Sequence, residues 1–187
     1  MKLKTRELVL CALFCALIAV GAQVVVPIPY GSITLQLLFV VLAGLMLRPM
    51  MSLLSVGAYF LLGLAGAPVF AGFSGGLSSF ASPTFGFLIG MVVAAPLVSL
   101  CFDVFRKKWK LFAAAMLAGG VGIVVIYLFG AVYGYFVMTL LLSKDVTLTF
   151  ILWNWCLIYL PFDLAQILLC SFLAPLLFKR IPQLARG

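Results

Sequence analysis

Long apolar stretches fill this chain from end to end, and glycines, prolines and short charged segments interrupt them. These breaks divide the pattern into six candidate helices: Glu7 to Val26, Thr34 to Leu47, Met50 to Gly66, Thr84 to Phe102, Leu111 to Val137, and Ile151 to Phe178. Crossing the hydrocarbon core takes roughly 20 apolar residues in helical form, so each stretch reads as a membrane span. The pattern predicts an all-α polytopic membrane protein forming a single six-helix domain over residues 1–187. The second span is short and must stand nearly upright, thin the bilayer locally or be shielded by its neighbours. The chain carries no internal repeat that would suggest an inverted-repeat transporter core.

Charge then orients the spans. Lys2, Lys4 and Arg6 precede the first, Arg48 separates the second and third, Arg106, Lys107, Lys108 and Lys110 follow the fourth, and Lys179, Arg180 and Arg186 end the chain. The alternate connections, Pro27 to Ile33 and Ala67 to Pro83, carry no charge, while Ser143 to Thr149 carries Lys144 and Asp145. The positive-inside rule therefore predicts cytosolic termini. Trp153, Trp155 and Tyr159 read as an aromatic belt at the outer end of the last span. The start imitates a secretory signal, but removing Met1 to Ala22 would leave an odd number of spans and spoil the charge alternation.

Composition agrees with the pattern. Hydrophobic residues make up 66% of the chain and charged residues 9%, against about a quarter charged in soluble domains. The net charge of +8 sits in clusters between uncharged spans rather than along one face, which argues against a nucleic-acid partner and for a lipid bilayer. There is no histidine, and the five cysteines, Cys11, Cys15, Cys101, Cys156 and Cys170, lack metal-binding spacing. Neither a metal nor another cofactor is expected. Cys11 and Cys15, near the cytosolic end, read as free thiols. Phosphate-binding loops, nucleophilic triads and paired carboxylates are missing, so an enzyme is not expected and uphill transport would require an energised partner.

The polar residues inside spans carry the candidate chemistry. Asp163 lies about 13 Å below Asn154 at 1.5 Å per helical residue. A lone carboxylate there costs on the order of 3 kcal/mol, so it should face a cavity or the bundle interior with a partner. Gln166 shares its face at i+3, and Pro161 can kink the helix and free carbonyl groups nearby. The uncharged Gly66 to Pro83 loop is long for so small a bundle. Its Gly75 permits close backbone approach and its Phe73 offers an apolar cover, consistent with a lid. Thr34 and Gln36 present polar groups just inside the second span, whereas Ser32 reads as its N-cap. Ala12 and Ala16 form a small-residue face on the first helix, as do Gly86 with Gly90 and Gly130 with Gly134.

The stretches Ser32-Ile33-Thr34-Leu35-Gln36, Leu42-Ala43-Gly44-Leu45, Gly66-Ala67-Pro68-Val69-Phe70-Ala71-Gly72, Ser82-Pro83-Thr84-Phe85-Gly86-Phe87 and Pro161-Phe162-Asp163 together resemble the BioY family. That family is the biotin-specific S component of energy-coupling-factor (ECF) transporters. The resemblance implies the S-component fold, a biotin pocket near the outer face, and docking on the transmembrane coupling protein EcfT, driven by a pair of cytosolic ATPases. It maps the coupling-protein contact onto Ala12 and Ala16 and the pocket aspartate onto Asp163. The family pattern continues from that aspartate to a lysine three positions later, where this chain has Gln166. Asp163 then suits the two ureido N–H donors of biotin, while the ligand carboxylate needs donors from the Gly72 to Gly76 backbone, Ser82 or Lys144. The alternatives are an S component for another vitamin and a membrane scaffold without a ligand.

Overall fold

The computed structural model describes residues 5–28, 31–143 and 146–180. The chain runs through α1 (Thr5–Gln23), a hairpin of β1 (Val25–Ile28) and β2 (Gly31–Thr34), α2 (Gln36–Met46), α3 (Pro49–Leu64), α4 (Phe85–Phe105) and α5 (Leu111–Phe136). A short α6 (Leu148–Ile151) and α7 (Leu160–Arg180) complete it. α5 continues into a π-helical turn, Val137–Leu141. A second π-helical stretch, Leu152–Leu157, joins α6 to α7, so Thr149–Arg180 runs as one apolar helical rod of 32 residues.

Four of the six spans are long and apolar enough to cross a bilayer, while α2 and α3 are shorter. α2 is apolar around its circumference and is accordingly buried except at Phe39. α1, α3, α4 and α7 surround it, and α4 packs most extensively against α5. Gly86 and Gly90 make that approach possible. A Cβ on Gly86 would lie 2.4 Å from the Tyr133 Cβ, and one on Gly90 2.8 Å from the Ile126 Cα, so α4 and α5 touch backbone to backbone.

The described basic residues gather at one end of the bundle. Arg48 joins α2 to α3, Arg106 and Lys110 bracket the α4–α5 turn, and Lys179 and Arg180 end α7. Phe102 stacks on Phe178 with ring centroids 5.9 Å apart, which brings the ends of α4 and α7 together. The Ser99 hydroxyl donates to the Leu47 carbonyl at 2.8 Å, closing α2 against α4 there.

Three sequence expectations change. The first span ends at Gln23, and Val25 and Val26 instead pair with Thr34 and Ile33 in the hairpin. Three consecutive β-branched residues, Val24 to Val26, before Pro27 favour extended backbone, although their apolarity reads as continued helix. Ser32 belongs to β2 and caps nothing; α2 starts after Leu35 without a side-chain cap of its own. The aromatic belt is divided: Trp153 is exposed, Trp155 is buried against Gly134, and Tyr159 lines a cavity. Two residues apart on a helical segment, Trp153 and Trp155 project to nearly opposite sides.

Candidate functional site

The end of the bundle away from the basic clusters encloses a cavity of about 430 Å³, within the range typical of small-molecule sites. Its wall comes from β2, the start of α2, the α3–α4 loop, the start of α4, α5, and the junction leading into α7. Phe70, Phe85, Phe87, Leu88, Met91 and Ile126 supply an apolar lining, and Thr34, Gln36, Tyr127, Tyr159 and Asp163 supply polar groups.

Asp163 sits in the first turn of α7, where the helix restarts at Leu160 and Pro161 after the π-helical stretch. Proline is at home there because the first-turn N–H groups lack helical partners. The Tyr127 hydroxyl donates to Asp163 Oδ2 at 2.6 Å, a charge-assisted bond that fixes the carboxylate orientation. The Gln166 amide approaches Oδ1 at 3.4 Å and donates to the Thr34 carbonyl at 3.2 Å. That longer contact leaves Oδ1 with acceptor capacity for a ligand donor.

Gln166 itself is buried behind the cavity wall. Its Oε1 accepts the Leu38 backbone N–H at 3.0 Å. It therefore satisfies an open amide in the first turn of α2, performing from α7 the capping that α2 lacks locally. Thr34 donates to Gln36 Oε1 at 2.9 Å, Gln36 Nε2 donates to the Tyr59 hydroxyl, and Tyr59 donates to the Val69 carbonyl at 3.2 Å. A continuous polar chain thus runs from Asp163 behind the wall to the α3–α4 loop.

That loop is itself anchored. Gln23 donates to the Val69 and Phe70 carbonyls at 3.3 and 3.2 Å and accepts the Phe73 N–H at 2.9 Å. The Gly76 N–H reaches the Gly63 carbonyl at 2.7 Å, and the Phe70 ring fills the space above Gly63 where a Cβ would fall 2.2 Å away. Two 3₁₀ turns, Ala71–Phe73 and Leu77–Ala81, shape the rest. Gly72 and Gly76 take positive φ of 67° and 85° there, backbone that suits glycine.

Of the residues singled out from sequence, Asp163, Thr34, Gln36 and Ser82 meet at the cavity, with Gln166 behind them. Phe73 and Gly75 lie outside the lining: the Phe73 ring is 70% exposed, and Gly75 sits against the Ala67 carbonyl. Lys144 falls outside the described residues. Ala12 and Ala16 are exposed along α1 beside Val9, Leu13 and Val20, a face without a partner among the described residues. Sequence reasoning passed over Tyr127 and read Tyr159 as a membrane-interface anchor and not as a site residue. A phenol in the middle of the otherwise apolar Leu111 to Val132 run was the available signal for Tyr127, since its hydroxyl needs a partner in the membrane.

The BioY family model matches residues 1–183. A biotin transporter BioY from Thermotoga maritima is 33% identical over 170 residues, covering 90% of this chain and 94% of that protein. One from Rhodobacter capsulatus is 35% identical over 189 residues, covering 97% and 99%. Among solved structures, the S-component for biotin from an ECF-type ABC transporter superposes with a TM-score of 0.83 at 24% identity, covering 95% of each chain. The bundle therefore has the S-component fold, and its sequence, matched nearly end to end, belongs to the BioY family.

Proposed function

We propose that the chain is the biotin-capturing subunit of an ECF-type importer. The observation that carries this reading is the cavity of about 430 Å³ with the Asp163 carboxylate held at its wall by Tyr127 and Gln166. The relatives, biotin transporters by name, support the same ligand. Biotin joins a ureido ring with two N–H donors to an apolar bicycle and an apolar tail ending in a carboxyl group. Asp163 accepts the ureido donors, Oδ1 having the greater spare capacity. The Tyr159 hydroxyl faces the ureido oxygen, and Phe87, Met91 and Ile126 enclose the bicycle.

Gln166 holds α2 and the carboxylate in register, and Thr34 and Gln36 tie that register to the outer loop. Ser82 belongs to the carboxyl end of the ligand. The positive-inside rule supports an outward-facing cavity with both termini in the cytosol. Delivery then uses EcfT, which docks on the Ala12 and Ala16 face of α1, and a pair of cytosolic ATPases. That face supports docking because its small side chains allow a partner helix to approach closely.

The test is equilibrium binding of radiolabelled biotin to the detergent-purified chain, beside Asp163→Ala and with excess thiamine or riboflavin as competitors. The expected result is saturable binding displaced only by unlabelled biotin and abolished by the substitution in a folded protein. No saturable binding by folded wild-type protein overturns the proposal.

A further inference from the structure

The cavity has two chemically different ends. One is Asp163 with Tyr127. The other is a girdle of hydroxyls, for the α3–α4 loop contributes Ser74, Ser78, Ser79 and Ser82, and Thr84 follows at the head of α4. Among the described residues, the lining contains no lysine or arginine, and Asp163 is its one acidic group. The described basic side chains lie at the opposite end of the bundle.

The girdle has donors to give. Ser82 and Thr84 face each other at 2.8 Å. One proton occupies that bond, so the pair retains one O–H for a third group. Ser78 reaches the Gly75 carbonyl only at 3.5 Å, the limit of a useful bond. Ser74 is committed to the Ala71 carbonyl at 2.8 Å. Ser74 and Ser78 are also exposed, so a group seated among these hydroxyls keeps part of its hydration. An anion there is neither fully desolvated nor in need of a counter-charge.

Taking the biotin reading as its basis, we infer that this girdle recognises the end of the ligand tail as a hydrogen-bond acceptor and not as an anion. The site therefore admits neutral carboxyl derivatives of biotin, its amides and esters, alongside the free acid. A carbonyl oxygen accepts the same O–H donors as a carboxylate oxygen, and a hydroxyl can also receive an amide N–H. Each bond to a charged acceptor exceeds one to a neutral acceptor by about 1 kcal/mol, and the larger desolvation cost of the anion offsets that gain, so acid and amide should differ by about tenfold or less. An ion-paired site discriminates far more, because a neutral derivative bound there leaves the site's own charge unpaired.

The experiment is competition against radiolabelled biotin on the full-length chain, using unlabelled biotin, biotin primary amide and biotin methyl ester. Amide and ester are expected to compete within about tenfold of biotin, and the double variant Ser79→Ala/Ser82→Ala is expected to weaken all three by similar factors. If biotin binds but the amide and ester compete more than about a hundredfold more weakly, the inference is overturned while the biotin assignment stands. Closure of that gap by Lys144→Ala would then identify the cation responsible. If labelled biotin does not bind at all, the functional proposal fails first.

Discussion

Tyr59→Phe isolates one link in the polar chain behind the cavity. The side chain is 1% exposed, accepts a hydrogen bond from Gln36 and donates one to the Val69 carbonyl at 3.2 Å. Phenylalanine retains the ring and its edge contact with Phe70, centroids 5.6 Å apart, and removes a single oxygen. The Val69 carbonyl still has Gln23 at 3.3 Å. The Gln36 amide, on a side chain 4% exposed, loses that acceptor. Leaving a buried donor unmade costs about 1–3 kcal/mol, more than the net worth of the bond itself.

That asymmetry predicts a non-additive cycle. Gln36→Leu alone removes the amide and leaves the Tyr59 hydroxyl its bond to Val69, so its penalty falls mainly on Thr34. Tyr59→Phe/Gln36→Leu has no orphaned amide, and should be less destabilised than the sum of the singles by about 1 kcal/mol or more. The assay is equilibrium unfolding in mixed micelles without ligand, followed by tryptophan fluorescence. Additivity within about 0.5 kcal/mol would refute the bond between Gln36 and Tyr59 as a stabilising link.

Other perturbations test the remaining geometry. Gly31→Ala would put a Cβ 2.2 Å from the Tyr159 hydroxyl and 3.6 Å from Thr84 Cγ2. It should weaken biotin binding about tenfold or more, equivalent to about 1.4 kcal/mol, and an unchanged Kd would remove Tyr159 from the site. Gly134→Ala would meet the Trp155 ring at 1.9 Å. Overpacking of this kind costs about 1–3 kcal/mol, seen as a lower unfolding midpoint with altered tryptophan emission; a wild-type midpoint would contradict the packing described. With the native cysteines replaced, Ser78→Cys should react with an impermeant maleimide on intact cells and Lys108→Cys only after permeabilisation. The reverse pattern would invert the proposed topology.

The membrane class and the helices were legible in the apolar runs, and Asp163, Thr34 and Gln36 stood out because each departs from what lipid tolerates; Ser82, in the α3–α4 loop, entered only through the family resemblance. A charge or amide in an apolar run must be explained by burial, pairing or function. Tyr127 and Tyr159 escaped because a phenol is equally at home at the headgroup layer, and sequence does not say which face of a helix turns inward. The hairpin was hidden for a related reason: Val24 to Ile28 is apolar whether helical or extended, and only pairing with Gly31 to Thr34 distinguishes the two. The role of Gln166 depends on Leu38, 128 positions away, a relation that helical periodicity cannot report.

The short α2 gives the cavity its place. Its 11 residues span about 17 Å at 1.5 Å per residue, little more than half of a hydrocarbon core about 30 Å thick. On the basic side this length is filled completely, with Val40, Ala43 and Leu45 inaccessible and Gly44 pressed against Val98. On the other side the helix stops, and the hairpin and the α3–α4 loop occupy the remaining depth. Irregular backbone at that depth is tolerated only where protein or a wet cavity shields it from lipid, so its polar groups turn inward. Those groups are the hydroxyls and amides that a polar ligand requires, while α4 and α5, closely packed through Gly86 and Gly90, continue past them as a rigid wall. Lengthening α2 by two turns would satisfy the bilayer more simply and fill the cavity with helix; the bundle gives up that continuity at the level where Asp163 and Tyr127 meet.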